Sequence, residues 1–189
     1  MRKPLSDSTE IAARMECHLP KAFKIHKVVR CIYLPEHRMH WEFNFDAYDK
    51  TPRVPDANCL LYELYSRGKK HFGVAQRDFL EKGVQLWDGE RYWNYTSSIC
   101  HLDDKGVPVA SNDLQPEGAV RSVSAYSLLM LEREKHDKKN LGKIKMTSLQ
   151  SFDSFVTIPA VVFDPAVAKS TKGWVEGLTK YYTKNHKKL

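Results

Sequence analysis

The sequence predicts an α+β fold: an antiparallel sheet followed by one long helix at the end of the chain. Two observations predict it. The centre of the chain is a series of strand-like segments, two of them joined by the turn pair Asp88-Gly89. After Ala160 the spacing of apolar residues changes from two to that of a helix.

Taken in order, "TEIAARMEC" reads as a short helix, with residues 1–20 otherwise poorly ordered, and "KAFKIHK" reads as a strand. In "EHRMHWEFNFDAYD" (36–49) apolar residues alternate from Met39 through Trp41, Phe43, Phe45 and Ala47. Period two predicts a half-buried strand. Its polar face would carry His40, Glu42, Asn44 and Asp46, a candidate acid/base or metal row. "CLLYELYS" (59–66) follows as a strand rich in aromatics, and "VQLWDGERYWNYTSSI" (84–99) as a hairpin. "AVRSVSAYSLLMLE" (119–132) and "KIKMTSLQSF" (143–152) are further strands, set between the loop-like "HLDDKGVPVASNDLQPEG" and "KHDKKNLG". The closing helix is expected over 160–186. Val161, Ala168, Thr171, Val175, Leu178 and Tyr182 form its apolar stripe, with Trp174 and Tyr181 beside them. Pro165 either starts that helix or kinks it.

At 189 residues the chain is expected to form a single domain, 1–189, and 42% hydrophobic residues exclude a disordered one. No apolar run reaches the length of a membrane span, and "MRKPLSDSTE" lacks the apolar segment of a signal peptide. A soluble, cytoplasmic protein is expected. Four cysteines, Cys17, Cys31, Cys59 and Cys100, are widely spaced and form no CxxC pair, which argues against a zinc site or a disulfide framework. Net charge is +7, and residues 169–189 hold six lysines against one acid, Glu176. Such a patch suits nucleic acid, an anionic membrane surface, or a solvated helix face.

Catalytic motifs are not supported. His40-x-Glu42 has no downstream Pro-Cys-x-x-Cys, and the sequence lacks a Gly-rich phosphate loop, a GxSxG elbow and HExxH. Cys100 and His101 are neighbours in sequence, but a catalytic pair needs a spatial adjacency that sequence alone does not show. The expectation is no catalytic residue, no metal and no cofactor.

Four segments, in order, resemble the START (StAR-related lipid-transfer) family. "LPEHRMHWEFN" resembles its Arg-x-x-Trp-acid segment, through Arg38, Trp41 and Glu42. "CLLYELYSRGKKHFGVAQRDFLEKGV" resembles a strand followed by the family's Arg-Asp-Phe/Tyr, here Arg77, Asp78 and Phe79. "PEGAVRSVSAYSLLMLE" resembles its Gly-x-Val-Arg strand, through Gly118, Val120 and Arg121, and Ile158-Pro159 resembles the opening of the final helix.

The resemblance implies a helix-grip fold, a curved antiparallel sheet wrapped around the long C-terminal helix and enclosing an apolar cavity for one lipid. It splits "EHRMHWEFNFDAYD", so that "EHRMHWE" closes a helix or loop and "FNFDAYDK" begins a strand, which dissolves the polar row. Compared with the phosphatidylcholine-transfer type, Arg38 and Glu42 would meet the lipid headgroup, with Tyr62 and Tyr126 around a choline cation. The sequence departs from that type at Phe43-Asn44 and Gln150, where tyrosines are expected, and at Glu42, where the acid is Asp. Phosphatidylethanolamine, a broader phospholipid range or another lipid class therefore stay open. Only 37 residues precede Arg38, so the N-terminal elements are expected to be abbreviated, leaving one side of the sheet thinner or covered by a partner. Trp174, Val175, Leu178 and Tyr182 would line the cavity as a lid, and Lys169, Lys172, Lys180 and Lys184 would dock on anionic membrane. The implied protein is a monomeric lipid carrier, cytoplasmic and transiently membrane-bound, with lipid as cargo and no nucleic-acid partner. The competing readings are a basic nucleic-acid-binding module and an enzyme of a related helix-grip lineage acting through His40 or Glu42.

Overall fold

A computed structural model describes residues 10–42, 44–55, 59–70, 75–99, 101–102, 108–109, 118–135, 141–153 and 160–189. Phe43, Cys100, Ile158 and Pro159 lie outside them, as do the side chains of His101 and Val161. The strands are β1 (Glu10–Leu19), β2 (Phe45–Pro55), β3 (Cys59–Gly68), β4 (Arg77–Trp87), β5 (Arg91–Ser98), β6 (His101–Leu102), β7 (Pro108–Val109), β8 (Val120–Arg121), β9 (Val123–Lys135) and β10 (Leu141–Asp153). The helices are α1 (Ile25–Tyr33), α2 (Pro35–Arg38) and α3 (Ala160–Asn185), the last with Pro165 inside it.

Seven strands form one curled antiparallel sheet in the order β1-β10-β9-β5-β4-β3-β2, and β8 pairs parallel with the start of β4. With α3 against its concave face this is the helix-grip fold. Register fixes which side chains enter the groove. Tyr92 faces Leu131, Asn94 faces Leu129, Leu131 faces Met146, and Cys17 faces Met146 across successive ladders. At the hairpin the two central turn residues are Gly89-Glu90, one position later than expected, because Asp88 already pairs with Arg91. Asp88 Oδ1 accepts the Glu90 and Arg91 N–H groups, and Gly89 supplies the positive φ of 92°.

Two N-terminal expectations are corrected. Residues 10–19 form a strand rather than a helix or a disordered arm. Ala13, Met15, Cys17 and Leu19 alternate inward against Arg14, Glu16 and His18, and period two on the edge of a sheet prevails over helix propensity. The "KAFKIHK" region is not a strand but runs into α1, where Ile25, Val28, Ile32 and Tyr33 recur at helical spacing and are buried. Among the described residues no helix is long and apolar enough to cross a membrane.

The main core lies at one end of the groove, and a smaller cluster of Tyr48, Tyr62 and Leu64 packs separately with Phe45 and Leu60. In the main core Leu19, Phe23, Val28, Ile32, Leu131, Ile144 and Met146 pack with Leu178 and Tyr182 from the C-terminal half of α3. Tyr182 stacks on Phe23 with ring centroids 3.8 Å apart, and its hydroxyl accepts the Lys24 N–H at 2.9 Å. The N-terminal half of α3 crosses the other end of the groove, where no such core fills the space beneath it.

Candidate functional site

That unfilled end is a cavity of about 1160 Å³ between the sheet and the Val167–Glu176 part of α3. Ile32, Phe45, Leu64, Leu129 and Phe152 line it from the sheet and α1 side, and Val167, Trp174 and Val175 close it from the helix. Its floor is not uniformly apolar. Inward positions of β3, β4, β5, β9 and β10 place Ser66, Glu81, Asn94, Thr96, Ser124 and Ser148 on the wall.

Arg38 enters this wall from α2, a single turn that Pro35 opens at the first helical position. Its Nη1 donates to the Ile32 carbonyl at 3.0 Å, and Nη2 meets Glu42 Oε2 at 3.4 Å. The guanidinium lies over Tyr48, with its carbon 4.7 Å from the ring centroid, and over Phe45 at 5.2 Å. Trp41 holds the turn by donating its indole N–H to Cys31 O at 3.0 Å and meeting Trp174 edge-on at 5.2 Å. Glu42 is buried behind Arg38 and does not line the cavity; its Oε1 also accepts the Asn44 N–H. These contacts hold the Arg38 guanidinium in place on the wall.

A second charged group faces the cavity from the middle of β4. Glu81 is 7% exposed and accepts a hydrogen bond from the Thr96 hydroxyl at 3.0 Å, with the Ser124 hydroxyl also bonded to it. Burial raises its pKa, and the hydroxyls and Arg38 only partly offset this. Tyr33, Tyr48 and Tyr62 stand within its field, and burial raises all three phenols, Tyr48 to about 12. Lys50 completes the neighbourhood. Its ammonium sits 4.4 Å from the Tyr62 centroid and 5.2 Å from that of Tyr33, and burial pulls its pKa down to about 8.

The residues singled out by sequence are divided by the structure. Arg38, Trp174 and Val175 line the cavity together. Tyr62 is 1% exposed, gives its hydroxyl to Asn94 Oδ1 at 2.5 Å, and lies in the packing beside the cavity rather than on its wall. That bond holds the Asn94 side chain inward. Tyr126 is corrected as a headgroup aromatic. Tyr126 pairs with Ser151 and, by alternation from the inward Ser127, Leu129 and Leu131, lies on the outer face, 40% exposed; the β9–β10 ladder then skips Ala125, and this bulge brings Ser124 inward as well. Leu178 and Tyr182 belong to the core that seals the end, not to the cavity lining. Lys169, Lys172, Lys180 and Lys184 are exposed along α3, with Lys172 at the cavity rim and 3.8 Å from Glu176. His40 is exposed and stacks on Tyr181, apart from Glu42's pairing with Arg38. Among the described residues no three His, Cys, Asp or Glu side chains converge as metal ligands would.

Sequence reasoning missed two features. Glu81 was hidden in "RDFLEKGVQLW", where nothing local says which face of the strand is inward. Asp78 and Arg121 lay in recognised segments, yet their pairing was not foreseen. They form a buried bidentate ion pair, at 2.8 and 2.9 Å, that clamps β8 to β4.

No protein-family model and no curated protein matches this sequence. Solved structures do resemble it. Human STARD10 shares 20% identity over 96% of this chain and 69% of its own, with a TM-score of 0.65. Human StAR-related lipid transfer protein 5 shares 15% over 93% and 76%, with a TM-score of 0.69. A fragment of the STAR-related lipid transfer protein from Xanthomonas axonopodis shares 15% over 90% and 84%, with a TM-score of 0.58. At these identities the likeness is one of fold, the curled sheet gripping a C-terminal helix.

Proposed function

We propose that this chain is a lipid carrier that holds one phospholipid in the cavity beneath α3 and moves it between membranes without chemical change. The observation that carries the reading is the cavity itself, about 1160 Å³ with an arginine held on its wall. That volume exceeds the roughly 300–1,000 Å³ of ordinary small-molecule pockets. Acyl chains entering it leave water at roughly 25 cal/mol per Å² of apolar surface. Arg38 is suited to a headgroup phosphate, since a guanidinium binds phosphate through paired N–H donors. Glu42 neutralises Arg38 when the site is empty.

The fold likeness supports the same reading, because the similar human and Xanthomonas proteins are named as lipid transfer proteins. The carrier acts as a monomer in the cytoplasm. Its α3 lysines dock on anionic headgroups at about 1 kcal/mol each, and α3 with its adjoining loops opens to exchange cargo. Native mass spectrometry of the purified protein, with identification of the copurifying lipid, tests this. One phospholipid per chain is expected. Recovery of none, even after incubation with phospholipid vesicles, refutes the proposal.

A further inference from the structure

The headgroup end of the cavity carries two opposite charges that the carrier reading uses unequally. Arg38 has a role in phosphate binding, whereas Glu81 has none. A carboxylate buried on the floor of a lipid cavity is costly to keep. Two hydroxyls, from Thr96 and Ser124, engage it, which leaves acceptor capacity on its oxygens. Tyr48 lies in the same wall, 6% exposed, with the Arg38 guanidinium over its ring. Glu81 is thus the group disposed to meet a ligand that brings its own donors.

Among the aromatics around the cavity, the tyrosines in the field of Glu81 already carry cations, and Phe79 and Phe152 pack edge-on against each other. Arg38 covers Tyr48 at 4.7 Å, and Lys50 covers Tyr62 at 4.4 Å and Tyr33 at 5.2 Å. Tyr126 points away. A quaternary ammonium has no N–H to donate and depends on open aromatic faces, so this arrangement serves choline poorly. A primary ammonium is the opposite case, because it offers three donors and is best met by a carboxylate. A zwitterionic headgroup, ethanolamine or choline alike, adds no net charge beside Arg38 and Glu81, whereas an anionic one does; the N–H donors of the ammonium, not its charge, separate the two.

We infer that Glu81 is the residue that selects the headgroup, and that the cargo class is phospholipid ending in a hydrogen-bond-donating ammonium, as in phosphatidylethanolamine. Phosphate lies toward Arg38 and ammonium toward Glu81, with Thr96 and Ser124 orienting the carboxylate. This inference rests on the lipid-carrier reading and adds the headgroup to it.

The test loads the full chain from vesicles holding phosphatidylethanolamine, its N-monomethyl and N,N-dimethyl derivatives, phosphatidylcholine and phosphatidylserine in equal amounts, all with the same acyl chains. Native mass spectrometry then counts each complex. Wild type is expected to favour ethanolamine over choline by about tenfold, the worth of one charge-assisted hydrogen bond, with the drop falling at the last methyl, where the final N–H is lost. Phosphatidylserine should load below phosphatidylethanolamine. Glu81→Gln, which keeps the size and the folded state checked by thermal unfolding, should bring ethanolamine and choline within about twofold while total loading persists. Equal loading of the two by wild type, serine preferred over ethanolamine, or an unchanged preference in Glu81→Gln overturns the assignment and leaves the carrier reading standing. No phospholipid bound at all overturns both. The methylation series needs no variant, so a Glu81→Gln chain that fails to fold would still leave a decisive result.

Discussion

Replacing Arg121 by Met should unfold this protein far more easily than its distance from the cavity suggests. Arg121 and Asp78 are 2% and 0% exposed, and two parallel N–H···O bonds of 2.8 and 2.9 Å join them. With arginine gone, the Asp78 carboxylate is left buried without a counter-charge, a situation that costs roughly 3–5 kcal/mol. For a chain of this size that is a fall of roughly 6–20 °C in the unfolding midpoint. The backbone bonds that carry β8 along β4, Val120 N–H to Gln76 O and Ser122 N–H to Asp78 O at 2.8 Å each, do not depend on the side chain. The loss should therefore be electrostatic, and removing the second charge should recover much of it. Urea unfolding at pH 7 of wild type, Arg121→Met, Asp78→Leu and the double variant gives the cycle directly, provided the denaturant slopes agree. A cost below about 1 kcal/mol for Arg121→Met, or a double variant no better than either single one, would refute the reasoning.

Three further outcomes follow from particular contacts. Lys50 has its pKa lowered by burial from 10.5 to about 8, so the unfolded chain binds more protons between those values and wild-type stability should rise with pH there. Lys50→Met should be more stable than wild type at pH 7, by up to about 3 kcal/mol, and urea titrations should show that advantage shrinking by about half at pH 9.5. Gly83 sits under the Tyr62 ring, and a methyl there would overlap it; Gly83→Ala should cost about 1–3 kcal/mol in thermal or urea unfolding. If the α3 lysines dock on membrane, Lys169→Glu with Lys180→Glu and Lys184→Glu should slow transfer from anionic vesicles and remove its salt dependence, and equal rates at low and high salt in wild type would sink the docking step.

Much of the fold was legible because its signals were local. The Asp88-Gly89 pair announced the β4–β5 hairpin, and the stripe through Thr171, Val175, Leu178 and Tyr182 announced α3. What failed depended on partners distant in sequence. Residues 10–19 contain good helix formers, and only the neighbouring β10 makes their alternation decisive. In "KAFKIHK" the window was too short, since the helical spacing is clear only when Val28, Ile32 and Tyr33 are included. Arg38 was reached through a resemblance that quoted its segment. Tyr126 faces out by alternation with the inward Leu129 and Leu131, and the run of apolar residues on both faces of β9 hides which set is inward. Glu81 was invisible for a related reason: on a strand with charges on both faces, only the curl of the whole sheet decides which charge is enclosed.

On the proposed reading, that enclosure ties stability to cargo. The core end of the groove is apolar and filled, so it can hold the sheet and α3 together without help from a ligand. At the other end the polar groups are only partly served. Arg38 is held by the Ile32 carbonyl and Glu42, while Glu81 keeps a carboxylate engaged by two hydroxyls where charge would suit it better. Burial raises the folded-state pKa of Glu81, so the empty protein loses stability as pH rises from the ordinary carboxylate range through that raised value. A bound ammonium would reverse this term by favouring the ionised carboxylate. On the proposed reading, the group that burdens the empty form is then the one that rewards the correct headgroup. A plain hydrocarbon cannot relieve it, however well it fills the volume, because it leaves the carboxylate as it found it. Selection and stabilisation are in this sense a single free energy, and it is drawn from a handful of side chains at one end of the groove.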